Sequence, residues 1–95
     1  GPYLCAVKLK DSAPLMHHNE PVLRNGLVVG YVTSGAFSAH FHCAVGLCFI
    51  DLPVDAQSKE AIASGEYSVM IEGEPIAAEV SVQSFYDPQN ERMLS

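Results

Sequence analysis

Asn25-Gly26 is the dipeptide that most restricts how this chain can fold. Both residues tolerate positive φ at low cost, which suits the tight turn between two antiparallel strands. Val22 and Leu23 precede it, and Leu27, Val28 and Val29 follow it. Gly30 then allows a backbone or a bulky ring to approach closely, and Ser34-Gly35 reads as the end of the second strand. The run from Asn19 to Gly35 is therefore a β-hairpin.

The remaining chain divides into short strands with turn punctuation. Tyr3 to Leu9 is a strand with Tyr3, Cys5, Val7 and Leu9 on one face and Lys8 turned the other way. Asp11 to Pro14 is a loop, and Leu15-Met16 is placed to pass over a barrel mouth. Ala36 to His42 is a connection of mixed character. Cys43 to Leu52 is a nearly unbroken apolar run, the pattern of a strand buried on both sides, and Gly46 within it marks a bulge or a close crossing. Residues 55–63 read as the single helix, with Asp55 as N-cap and Gly65 as the C′ residue. At about two turns it is too short to persist alone and must dock through Ile62 and its alanines. Tyr67 to Glu72 and Ile76 to Gln83 alternate as strands around a turn at residues 72–75. Six strands at this spacing predict an all-β antiparallel barrel or sandwich. The expected core is Val7, Val29, Val32, Val45, Leu47, Val69, Ile71, Val80 and Val82.

Ninety-five residues make one domain near the small end of what folds alone. No apolar run approaches the roughly 18–20 residues of a membrane span. Gly1-Pro2 stands where an initiator methionine would be, which points to a domain excised from a longer chain or to the remnant of a cleaved tag. The net charge is −6. Nine of the eleven acids lie between Asp51 and Glu91, where Lys59 is the only base. A phosphate backbone requires clustered Lys and Arg, so nucleic acid is excluded as a partner. Cys5, Cys43 and Cys48 are odd in number and sit in apolar segments, so each reads as a small buried hydrophobe in a reducing, intracellular compartment.

Residues that could carry chemistry are few. In a strand, His40 and His42 would share a face, a spacing able to hold a metal, but no Asp or Glu lies within seven residues to complete a site. His17-His18 is a second pair. Ser34 and Ser38 lie near His40, without the orienting third group a nucleophile requires. The segment from Gly26 to Gly30 lacks the third glycine and the following helix of a dinucleotide fingerprint. No metal site and no catalytic residue is assigned.

The order of motifs carries more. Pro14-Leu15 leads into Asn19-Glu20-Pro21-Val22. There follow Gly30-Tyr31-Val32-Thr33-Ser34-Gly35, Ala44-Val45-Gly46-Leu47-Cys48-Phe49-Ile50 and Ser64-Gly65-Glu66-Tyr67-Ser68-Val69. Pro75-Ile76-Ala77-Ala78 and the ending Phe85-Tyr86-Asp87-Pro88-Gln89-Asn90-Glu91-Arg92 complete the series. Taken together, the chain resembles the C-terminal barrel domain of the aminomethyltransferase family, which includes the glycine cleavage T-protein, sarcosine dehydrogenase and dimethylglycine dehydrogenase. Its ending is closer to the dehydrogenase branch of FAD-dependent oxidoreductases than to the stand-alone T-protein.

The resemblance implies a six-stranded, Greek-key-like antiparallel barrel with one short helix, spanning residues 1–95 as a fragment of a larger protein. In the family the catalytic carboxylate and most folate contacts lie in earlier domains. The barrel then closes the tetrahydrofolate pocket, and a flavin domain supplies oxidation in the dehydrogenase branch. Tetrahydrofolate and FAD are thus expected in the parent protein and neither in the isolated domain. Tyr86, Asn90 and Arg92 are the candidate folate neighbours. Phe37, His40, Phe41, His42, Phe85, Tyr86 and Met93 are the expected interface with other domains, or with a second copy once those domains are removed. The chain departs from the family in the bulkier Ala36–His42 loop, in Cys48-Phe49 where glycine and tyrosine are common, and in Asn90-Glu91 where the T-protein branch places an aromatic contact to folate. A regulatory or structural homologue without catalysis, and a T-protein fragment, are the alternative readings.

Overall fold

The computed structural model describes residues 3–53, 55 and 58–82. Strands β1 (Tyr3–Leu9), β2 (Pro21–Arg24), β3 (Leu27–Ser38) and β4 (Cys43–Ile50) precede helix α1 (Lys59–Ser64), and β5 (Tyr67–Ile71) and β6 (Glu74–Ser81) follow it. The sheet closes in the order β1-β4-β3-β2-β5-β6, with β6 returning to β1, and all pairings are antiparallel. β2, β3 and β4 form a meander and β1 lies beside β4, which is Greek-key connectivity. The expected six-stranded barrel with one short helix is what the chain forms.

Local chemistry accounts for the hairpins. Asn25 and Gly26 have φ of 52° and 86°, the left-handed pair of a tight hairpin turn. Glu72 and Gly73 repeat it between β5 and β6, at 52° and 83°. Gly30 and Gly46 mark close approaches: a Cβ on Gly30 would overlap the Phe49 carbonyl oxygen, and one on Gly46 the Ser34 carbonyl oxygen.

The core comprises Cys5, Val7 and Leu9 from β1, Val22, Val32, Ala44, Cys48 and Ile50 from the meander, and Tyr67, Val69, Ala78 and Val80 from the last hairpin. Met16 is fully buried at one barrel end against Gly35, as the loop position of Leu15-Met16 implied, while Leu15 stays exposed. Val7, Val32, Val69 and Val80 are buried as expected, and Val29, Ile71 and Val82 pack partly against the core.

Val45 and Leu47 are corrections. β4 alternates, with Ala44, Gly46, Cys48 and Ile50 inward and Val45, Leu47 and Phe49 outward. Both valine and leucine are only half-buried. The apolar run predicts burial on two sides, and this chain supplies one.

The helix also shifts. Its N-cap is Ser58, whose hydroxyl accepts a hydrogen bond from the Ala61 N–H at 3.0 Å, and Asp55 lies outside it. Gly65 is not left-handed (φ −71°). A Cβ there would press on the Arg24 side chain, which would have to shift to make room. That guanidinium donates to the Ala61 carbonyl at 2.9 Å, and the Tyr67 hydroxyl donates to the Ile62 carbonyl at 2.6 Å. Two carbonyls of the helix's last turn thereby gain side-chain donors, Ala61 O from a cation favoured at that end of the dipole and also from the Ser64 hydroxyl at 3.1 Å. Ile62 is fully buried beneath the helix. β3 runs on to Ser38, past the strand end expected at Ser34-Gly35, because a bulge near Thr33 restores its pairing with β4.

Replacing Ile50 by alanine is expected to cost about 2–5 kcal/mol, as for a fully buried core isoleucine. Val45→Ala is expected to cost about 1 kcal/mol or less, since half of that face is already wet. Urea denaturation midpoints compare the two. Equal losses would show that the outer face of β4 is covered in the isolated barrel.

Candidate functional site

The expected rim residues gather at one end of the β3–β4 hairpin. Residues 39–42 form its turn, with His42 at a φ of 59°. Its N–H donates to the Ser38 carbonyl at 2.7 Å, and the Phe41 N–H donates to the Ser38 hydroxyl at 3.2 Å. Ser38 is buried as the organiser of this turn. His40 and His42 are therefore turn residues and not alternate positions on a strand, which removes the shared face expected for them. Among the described residues no group of three His, Cys, Asp or Glu could hold a metal ion.

His40 packs edge-on against the half-buried Phe41, with centroids 4.6 Å apart. The Lys8 ammonium lies 4.6 Å above the Phe41 ring and 3.7 Å from a Glu79 carboxylate oxygen. Phe41 is thus anchored within the domain, whereas Phe37, His40 and His42 face outward. Phe85, Tyr86, Asn90, Arg92 and Met93 lie outside the described residues.

A second surface emerges only from strand register. Leu4 on β1 sits opposite Phe49 on β4, Phe49 opposite Tyr31 on β3, and Tyr31 opposite Pro21 on β2. This row crosses the outside of four neighbouring strands. Leu4 is 51% exposed, Phe49 45% and Tyr31 53%. The next row, Ala6, Leu47 and Ser34, is milder, and the third, Lys8, Val45 and Ala36, includes a charge. Val28 adds a further exposed side chain beside a groove lined by His18, Tyr31, Phe49 and Asp51. The row lies about 23 Å along β4 from the rim turn, the seven residues from Phe49 back to His42 at strand rise. Sequence reading missed it because Leu4, Tyr31 and Phe49 belong to three separate strands. The one available signal was the two-sided apolar character of β4.

Glu20, in the Asn-Glu-Pro-Val motif, accepts the His17 N–H at 2.7 Å through one carboxylate oxygen. Its other oxygen is buried without a partner among the described residues. Beside it the Asn19 side-chain amide donates to His18 Nδ1 at 3.1 Å.

All three cysteines are buried and unpaired with one another. Burial pushes the Cys48 thiol up to about 12, with the neighbouring Cys5 adding to the rise. Burial also raises Cys5 and Cys43. In the closed barrel the thiols are therefore held protonated at neutral pH and pack as small hydrophobes.

Residues 3–87 match the glycine cleavage T-protein C-terminal barrel domain. The chain belongs to that family. It is 37% identical over 87 residues to 4-methylaminobutanoate oxidase (formaldehyde-forming) of Paenarthrobacter nicotinovorans, an alignment covering 92% of this chain and 10% of the oxidase. Its fold matches the glycine cleavage system aminomethyltransferase T of Bartonella henselae with a TM-score of 0.60 at 24% identity, covering 86% of this chain and 20% of that one. The barrel spans a tenth of the curated relative's length and a fifth of the solved one. Among the described residues no helix is long and apolar enough to cross a membrane.

The raised thiol sets a pH dependence. The folded state holds the Cys48 proton up to about 12, while an unfolded cysteine releases it near 9.0. Between those values the unfolded state binds fewer protons, so stability falls as pH rises. Denaturation midpoints from pH 8 upward should fall more steeply for the natural chain than for Cys48→Ala. Parallel slopes would mean that Cys48 ionises freely in the fold.

Proposed function

We propose that this barrel is the C-terminal accessory domain of a folate-dependent, aminomethyltransferase-like enzyme of the flavin-linked demethylating type, and that it packs on the catalytic domains and closes the tetrahydrofolate pocket. The observation that carries the reading is the uncovered Leu4–Phe49–Tyr31 row. An antiparallel strand that is apolar on both faces needs a cover on both. The barrel interior covers one, and the rest of the parent chain is the natural cover for the other. Full burial of one large apolar side chain is worth about 1.5–3 kcal/mol, so three half-exposed ones supply a few kcal/mol. That suffices for a tethered neighbour, whose effective concentration is high. In a C-terminal barrel the preceding polypeptide enters β1 at Tyr3, beside Leu4, which puts that neighbour within reach of the row.

The name of the oxidase relative supports the demethylating branch over the T-protein branch. Its substrate carries an N-methyl group, and formaldehyde is that carbon two electrons further oxidised. The flavin would accept those electrons, and tetrahydrofolate, where present, would take up the one-carbon unit. This chain contributes positioning and exclusion of water at the folate pocket, with Phe37, His40, Phe41 and His42 as the rim towards it and Tyr86, Asn90 and Arg92 as the folate neighbours. A single wall of a pocket does not bury a ligand.

The test separates the barrel from its parent. Phe49→Lys and Tyr31→Lys should leave the denaturation midpoint of the isolated barrel within about 0.5 kcal/mol of the natural chain, as for exposed positions. In the parent protein the same changes should loosen the barrel, increase proteolysis at its junction and reduce demethylation. A parent indifferent to both would overturn the docking face. Separately, the isolated barrel should neither oxidise sarcosine or dimethylglycine nor bind tetrahydrofolate at micromolar levels in a titration. Micromolar binding would overturn the accessory role.

A further inference from the structure

Cys5 on β1 and Cys48 on β4 are direct partners in the antiparallel register. Direct partners point to the same side of a sheet, here the barrel interior, where Cys5 is 1% and Cys48 0% exposed. Facing antiparallel residues have Cα atoms about 4.5 or about 5.5 Å apart, depending on the hydrogen-bonding class of the pair. Both values fall within the roughly 4.4–6.8 Å that a disulfide spans. Cys5, Cys48 and Tyr67 belong to the same buried core cluster. Cys43 is elsewhere: its register partner is Ser38, and the charges acting on it are Lys8 and Glu79.

We propose that Cys5 and Cys48 form a latent cross-strand disulfide site, closed by two-electron oxidation with a hydroperoxide and joining β1 covalently to β4. In the first step one thiolate attacks a peroxide oxygen. The O–O bond breaks, hydroxide leaves and a sulfenic acid forms. In the second step the other thiolate attacks that sulfur, the S–S bond forms and hydroxide is displaced. Two thiols and one hydrogen peroxide thus give one disulfide and two waters, with sulfur oxidised and peroxide reduced.

The fold gates the reaction and suggests where it opens. Burial keeps both thiols protonated and dry, so the closed barrel reacts slowly. The register of β6 with β1 begins at Ala6, so among the described strands Cys5 is held by β4 alone. Lifting this first part of β1 exposes both sulfurs without opening the rest of the barrel. Thiol–disulfide exchange with an added dithiol reopens the link, so the modification is reversible.

The experiment treats the 95-residue chain with hydrogen peroxide, alkylates the remaining thiols in denaturant without reductant, and maps the peptides by mass spectrometry. The expected product is a peptide pair joined through Cys5 and Cys48, lighter by two hydrogens, with Cys43 alkylated. Its rate should rise with pH and with sub-denaturing urea, and dithiothreitol should reverse it. Cys43→Ser should still form it, and its urea midpoint should rise on oxidation. Cys5→Ser and Cys48→Ser should each abolish both the link and that rise. Links dominated by Cys43, links between chains, or oxidation of Cys5 and Cys48 to sulfinic acids without a link would each overturn the proposal.

Discussion

Everything in this molecule depends on β1 being gripped on both edges. Its pairing with β4 on one side and β6 on the other turns an open six-stranded sheet into a closed one. Closure removes the exposed edges that make small sheets sticky, and it gives Cys5, Val7 and Leu9 an interior to fill. These are contacts between distant parts of the chain, so their loop-closure entropy must be offset by the core they create. A 95-residue domain has little margin, which is why Met16 is drawn in to plug one end and Ile62 to seal the outer hairpins.

The helix shows how the margin is found. A six-residue helix has no independent stability. Arg24 reaches across from β2 to its last turn, Tyr67 reaches from β5, and Gly65 makes room for the guanidinium. The turn at Asn25 is tied to the same place, since its N–H donates to the Glu66 carbonyl at 2.8 Å and its side chain accepts the Glu66 N–H at 3.3 Å. One patch of polar chemistry therefore holds the helix, the first hairpin and the start of β5 together.

The inner and outer faces of β4 differ in burial. The inner face, Ala44, Cys48 and Ile50, belongs to the domain. The outer face, Val45, Leu47 and Phe49, joins Leu4 and Tyr31 to form a surface that the domain does not cover. The chain spans about a tenth of the curated relative's length and a fifth of the solved one's.

The sequence by itself determined the strands, the hairpins and the family. Asn25-Gly26 specifies a tight turn through local backbone preference, the turn read at residues 72–75 is narrowed by the structure to Glu72-Gly73, and the alternation in β1 and β5 specifies one inward face. Such signals are local, so they survive without a structure. The tertiary structure decided which face of β4 is inside, because an apolar residue looks the same in sequence whether it faces the core or the outside of the barrel. It moved the helix N-cap from Asp55 to Ser58, since both residues can cap and only docking selects one. It put His40 and His42 in a turn, where strand periodicity no longer applies. It also set Cys5 opposite Cys48 and Leu4 in line with Phe49 and Tyr31. Register between strands far apart in sequence is fixed by how the barrel closes, and no local pattern records it.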